Sequence, residues 1–262
     1  MPVRTQAQVI EMFHLLFLRV LASDRSDWFF LKGGANIRYF FDSPRYSNDI
    51  DLDFSGREAW QVGETVDKIL AGRALEVLTA QAKIEILDTS APKQTDTTRR
   101  WKIGIGAEGH AEPIRTKIEF SDRNGGSGDV VVEQVPDSIV RPYGLSSPLV
   151  CHYGETAAIE QKIAALALRG ETKARDIFDL DLLLRRRRAR DTVQSDLSGQ
   201  HAAHAATRAL EIPYDSFVSE VAPFLDAEMA ALYNESDWDQ MRTNVAVWLE
   251  EIEQRTTTDG ET

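Results

Sequence analysis

Six consecutive residues, Asp49-Ile50-Asp51-Leu52-Asp53-Phe54, alternate an acid with a large apolar side chain. Side chains of a strand point to opposite faces in turn, so this pattern predicts a β-strand with one acidic and one greasy face. A half-buried strand ordinarily carries mixed polar residues on its wet face. Three like charges in a row repel one another. They become reasonable around a divalent cation, because hard ions such as Mg²⁺ prefer carboxylate oxygens.

The residues before this strand point to the same kind of ligand. The apolar run Trp28 to Leu31 reads as a buried strand, followed by Lys32, Gly33 and Gly34. Ile37, Phe40 and Phe41 then recur at helical spacing, so the glycine pair is expected to open a short helix. Backbone N–H groups at a helix N-terminus bind anions, and glycine permits close approach. Ser43, Pro44 and Arg45 end that helix. A phosphate cradle followed by a metal-binding strand suits a metal nucleotide. A plain glycine turn and an acidic surface strand is the alternative. On one face, Asp49 and Asp51 are spaced to hold two metal ions for in-line phosphoryl transfer. Asp53 lies roughly 6–7 Å beyond Asp51 and is expected to be structural.

Helices are expected over 5–22 and 57–72, and strands over 83–87, 101–105, 114–120 and 130–134. The polar stretch DTSAPKQTDTTRR and the segment RNGGSGD at 123–129 read as loops. Strands around an initial strand–helix–strand unit predict a mixed sheet flanked by helices, α/β or α+β in class. In the strand IRTKIEFS, Glu119 offers a third metal-ligating carboxylate if this strand pairs beside the acidic one; a salt-bridged Glu is the alternative. From about residue 152 helical spacing takes over, with helices expected over 152–169, 174–188, 200–210, 214–233 and 237–254. The resulting division is a core at 1–145, a C-terminal helical bundle at 146–254 and a disordered tail at 255–262, within which RTTTDGET has no apolar residue. Lys162 and Arg169 share a helix face, and Lys173, Arg175, Asp176 and Asp179 crowd the start of the next helix. Arginines near a nucleotide would bind its phosphates bidentately, whereas an acid at the start of a helix is favourable to its dipole in any case.

Taken together, KGG…RYSNDIDLDF, KIEFS and EQKIAALALRGETKARDIFDL resemble the AbiEii/AbiGii nucleotidyltransferase toxins of toxin–antitoxin and phage-defence systems, within the DNA polymerase β-like nucleotidyltransferase superfamily. The resemblance runs over roughly residues 28 to 185. It implies a nucleotidyltransferase core plus a helical part that completes the active site. It implies Mg²⁺-dependent transfer (Mn²⁺ being a possible substitute) from an NTP, with tRNA the acceptor type in related toxins, and a cognate antitoxin. Asp49 and Asp51 would hold metal, Lys162 would hold nucleotide phosphates, and Asp176 would be a further essential acid. Lys32, Gly33, Gly34, Arg45, Ser47, Arg169 and Arg175 fall on the substrate side. One departure is visible: Ala35 stands where the superfamily often has a phosphate-binding Ser or Thr, and Asn36 is a candidate substitute.

Composition narrows the remaining choices. A net charge of −12 argues against binding nucleic acid over the whole surface, though not against a local basic patch. The cluster Arg185 to Arg188 with Arg190 is either such a patch or a solvated helix end. A single cysteine, Cys151, excludes an intrachain disulfide. No apolar run reaches the ~18 residues needed to cross a bilayer, and a cytoplasmic protein is expected. His201 and His204 read as surface residues, Trp238 and Trp248 as core. The acceptor stays open between RNA, a protein and a small molecule, and an NTP-binding regulator without turnover is the non-enzymatic alternative.

Overall fold

The computed structural model describes residues 3–23, 27–122, 129–189, 197 and 199–259. The chain divides into two compact units, Met1–Asp42 with Tyr46–Gly154, and Ser43–Arg45 with Glu155–Thr262.

The first unit is α/β. It begins with helix α1 (Gln6–Leu21), strand β1 (Phe29–Lys32), helix α2 (Gly33–Phe40) and strand β2 (Asp49–Phe54). Helices α3 (Ala59–Leu70) and α4 (Arg73–Gln81) follow, then strands β3 (Ile84–Gln94), β4 (Thr98–Ala107), β5 (Ile114–Asp122) and β6 (Val130–Gln134). A one-turn helix α5 (Asp137–Val140) leads to β7 (Leu149–Tyr153). Among the described residues the strands form one seven-stranded mixed sheet, in the order β3-β4-β5-β2-β1-β7-β6. Strand β2 runs antiparallel to β1 and parallel to β5.

The alternation read from the sequence sets the two faces of this sheet. Ile50, Leu52 and Phe54 are buried with Trp101, Ile103, Ile118 and Phe120 in the core, against Val9, Phe13, Leu16 and Phe17 of α1. Trp28 stacks on Phe120, and the Trp101 indole donates to Asp67 of α3 at 2.7 Å. Each such large apolar side chain contributes about 1.5–3 kcal/mol on burial. The other face keeps the charged residues.

Several boundaries differ from the sequence-based expectation. The helix expected over 57–72 is α3, two residues shorter at each end, and α4, which follows the break at Gly72, was not expected. The stretch DTSAPKQTDTTRR, expected as a loop, supplies the arms of a long β3–β4 hairpin, with Lys93 opposite Arg100 and Gln94 opposite Arg99. Polar side chains hid these arms because most of their residues are exposed. His152 falls in strand β7, not at the start of a helix, so the sheet continues beyond residue 145. The segment at 123–128 lies outside the described residues.

The second unit is helical: α6 (Glu155–Leu168), α7 (Ala174–Ala189), α8 (Ala202–Leu210), α9 (Tyr214–Glu220), α10 (Ala227–Ala230) and α11 (Glu235–Asp259). The helix expected over 214–233 is interrupted at Pro223 by a 3-10 turn, Ala222–Phe224. Helix α11 runs to Asp259, into the segment expected to be a disordered tail; residues 260–262 lie outside the described ones. Trp238 and Trp248 are fully buried, as expected of core residues. Among the described residues no helix is long and apolar enough to cross a membrane.

Candidate active site

Asp49, Asp51 and Asp53 project from one face of β2. The parallel pairing with β5 places Asp49 beside Lys117, Asp51 beside Glu119 and Asp53 beside Ser121. Strand β5 therefore does lie next to the acidic strand, the condition under which Glu119 joins the acids. The Lys117 ammonium sits among the three carboxylates, 3.4 Å from Asp49 Oδ2, 3.7 Å from Asp51 Oδ1 and 3.6 Å from Glu119 Oε2. Burial alone would lower the Lys117 pKa, but Asp51, Asp49 and Glu119 together raise it, so the ammonium stays charged. Glu119 is also bonded by Arg100 of β4. Burial would raise its pKa, but Arg100, Lys117 and Lys32 bring it below the usual carboxylate range.

Among the described residues no three of His, Cys, Asp and Glu converge as a ready-made metal centre. The three acids converge on a cation instead. Lys117 Nζ stands where a positive ion is held by oxygen donors, and an all-carboxylate set is what Mg²⁺ or Mn²⁺ prefers. The donor chemistry thus fits a divalent ion in exchange for the ammonium.

Asp53 has a different environment. It is fully buried, forms an ion pair with Lys32 and accepts a hydrogen bond from the Tyr153 hydroxyl at 2.8 Å. It joins β1, β2 and β7, the structural place expected for it. Lys32, expected to face substrate, spends its charge on this pair.

The glycine pair opens α2 as expected. Gly33 has φ +68°, and a Cβ there would meet Asp51 Oδ2 at 3.3 Å. Glycine thus meets both a left-handed backbone and a close approach to the acid. No side chain caps the first turn of α2, so its leading N–H groups remain available to an anion. Asn36 does not stand in for the hydroxyl missing at Ala35. It is buried, donates to the Tyr153 carbonyl at 2.8 Å and accepts from His152 Nδ1 at 2.9 Å. Ser47 donates to the carbonyl of Asp49 at 2.8 Å, shaping the entry to β2.

Sequence inspection missed one group behind this strand. His14 Nε2 lies 2.7 Å from Thr116 Oγ1, and that hydroxyl donates to the Asn48 carbonyl at 2.8 Å. Since Thr116 spends its proton on Asn48, His14 must donate through Nε2–H, and among the described residues Nδ1 has no partner. Burial lowers its pKa to about 3, so the ring is neutral. The only sequence signal was that His14, with Glu11, interrupts the apolar stripe of α1.

The helical unit gathers a second charge cluster. Lys162 lies 2.8 Å from Asp176 and 2.6 Å from Asp179, both fully buried. Arg169 pairs with Asp176 at 2.6 Å. Arg45 makes a forked pair with Asp179, with bonds of 2.8 to 3.1 Å. Burial would raise the Asp179 pKa, but Arg45 and Lys162 hold it below the usual range. The structure thus links Arg45, Asp179, Lys162, Asp176 and Arg169 in one chain of ion pairs. Arg175 is not part of this network.

The chain matches the model of the family described as the nucleotidyl transferase AbiEii toxin, type IV toxin–antitoxin system, over residues 15–251. The chain belongs to this family. The fold is also seen in solved structures from Helicobacter pylori. One, described as a candidate nucleotidyltransferase, is 18% identical with a TM-score of 0.65, over 98% of both chains. Another, JHP933, is 18% identical with a TM-score of 0.56, over 99% of this chain and 97% of that one. Such identities speak for the fold alone. No curated protein matches the chain.

Proposed function

We propose that this AbiEii-family protein transfers a nucleoside monophosphate from an NTP to an acceptor hydroxyl and releases pyrophosphate. The acceptor is an RNA 3′ end, tRNA above all, and the setting is a cytoplasmic toxin of a toxin–antitoxin or phage-defence system that a cognate antitoxin restrains. The observation that carries the reading is the trio Asp49, Asp51 and Glu119 gathered around one cation beside the α2 N-terminus.

Asp49, Asp51 and Glu119 would hold the divalent ion, Mg²⁺ or Mn²⁺. Bound there, it would lower the pKa of the attacking hydroxyl and offset triphosphate charge. Gly33 and Gly34 offer backbone N–H groups to phosphate oxygens, with the closeness that glycine allows. Lys117, released from the carboxylates, offers its ammonium to the same phosphates. Asp53, held by Lys32 and Tyr153, fixes the strand that carries the ligands. The family pattern further suggests phosphate binding by Lys162 and an essential acid in Asp176, with Arg45, Ser47, Arg169 and Arg175 on the substrate side.

The test is pyrophosphate release from each NTP with Mg²⁺ and total tRNA, alongside growth on expression. Release with at least one NTP, and growth arrest relieved by Asp49→Ala, are expected. A purified protein that binds NTP yet releases no pyrophosphate would instead be a non-catalytic regulator, a reading to which Ala35 lends support.

A further inference from the structure

Two rows of side chains cross the exposed face of the sheet, fixed by strand register. One runs Lys93 (β3), Arg100 (β4), Glu119 (β5), Asp51 (β2), Lys32 (β1). The other runs Ser90, Lys102, Lys117, Asp49 over β3, β4, β5 and β2. Side chains that face one another across paired strands share a face. Both rows therefore lead from the carboxylates outward to the hairpin; Lys32, paired with Asp53, lies on the far side, and the other cations of the two rows lie on the hairpin's side. Strands are spaced about 4.8 Å apart, so the path from Asp51 to Lys93 covers about 14 Å.

Arg100 and Lys117 are engaged by the acids of the site. Lys93 and Lys102 are exposed, and among the described residues neither makes an ion pair. Two uncompensated cations in line with the carboxylates stand out on a chain of net charge −12. The Arg185 cluster offers less. Arg185 pairs with Asp181 at 2.8 Å, Arg186 lies 3.8 Å from Glu155, and Arg187 is buried. The Arg188 side chain and Arg190 lie outside the described residues.

We propose that the β3–β4 hairpin is the landing strip for the acceptor RNA, with Lys102 and Lys93 holding successive phosphates of the strand whose 3′ end enters among Asp49, Asp51 and Glu119. This rests on the reading of the site as an RNA nucleotidyltransferase. No aromatic side chain lies in either row, so the contacts are to the backbone. Phosphate contacts position a strand without reading its sequence. Binding is therefore salt-dependent and tolerant of base identity.

The test uses the full chain and a short fluorescein-labelled single-stranded RNA with a free 3′ hydroxyl, with affinity read by anisotropy over a salt series. Each phosphate contact on a single strand adds about 0.7 to the slope of log affinity against log salt. Lys93→Glu with Lys102→Glu should weaken binding at least tenfold and lower the slope magnitude by about 1.4, with binding of a fluorescent NTP analogue unchanged. Arg185→Glu should leave RNA affinity as in the wild type. RNA bound equally by the wild type and the double variant would overturn the hairpin surface while leaving the site reading intact. A wild type that binds the NTP analogue but no RNA would overturn the RNA acceptor and the surface with it.

Discussion

Lys117 carries a full charge in the space bordered by Asp49, Asp51 and Glu119. A divalent ion entering that space must displace it. Lys117→Gln removes the resident competitor, and a partly exposed ion pair is worth at most about 1 kcal/mol. Mn²⁺ affinity should therefore rise roughly two- to fivefold in the variant, as read by titration calorimetry; an unchanged or weaker affinity would contradict the placement. His14 allows a second test. Its pKa is lowered from 6.5 to about 3 by burial. The unfolded chain takes up this proton near pH 6.5 and the folded chain only near 3, so stability falls as pH drops through that window. His14→Gln should flatten the slope of unfolding free energy between pH 6.5 and 5 by up to about 1.4 kcal/mol per pH unit. Burial lowers the His152 pKa too, but it contributes equally to both proteins, so urea titrations of the pair isolate His14. Equal slopes would argue that the ring is not held neutral.

At the scale of elements, β2 was legible because its alternation is unbroken and one face is wholly apolar. The opening of α2 was legible because Gly33 and Gly34 interrupt two apolar segments. Gly33 alone of the two has positive φ, and a left-handed conformation costs a non-glycine residue about 1–2 kcal/mol. Gly33→Ala should lose about that much stability in urea unfolding and crowd Asp51; Gly34→Ala should lose little. Comparable losses in both would misplace the turn. The inner halves of β3 and β4 were legible as strands at 83–87 and 101–105; the outer arms of the hairpin, between Asp88 and Arg100, were not, since most of their residues are exposed and they lack apolar alternation. Strand β7 was hidden differently. Leu149–Tyr153 is a short apolar run next to a long helix, and such runs cannot be told from helix by periodicity alone. Asn36 was misread because a polar side chain near a phosphate cradle suggests a ligand; its real partners, His152 and Tyr153, lie on β7, the strand the pattern did not show.

At the scale of the molecule, the sheet unit carries the carboxylates and the helical unit carries the Asp179 network. Lys162, Asp176 and Asp179 stood out in sequence as a crowd of charges, but their mutual pairing was not visible, because it depends on how α6 packs on α7. Asp179→Ala leaves Lys162 and Arg45 without this counter-charge and should cost about 3–5 kcal/mol. The Asp179 carboxyl is held below its ordinary range. Its contribution is therefore present above about pH 4 and lost as pH falls through the lowered value. A variant as stable as the wild type at pH 7 would contradict the network. The central claim, that Asp49, Asp51 and Glu119 form the site of nucleotide transfer, is tested most directly by following label from an α-³²P NTP into RNA with Mg²⁺. The wild type should label the RNA, and Asp51→Asn, folded by circular dichroism, should label it at least about a hundredfold more slowly; equal labelling by the two proteins would contradict the claim.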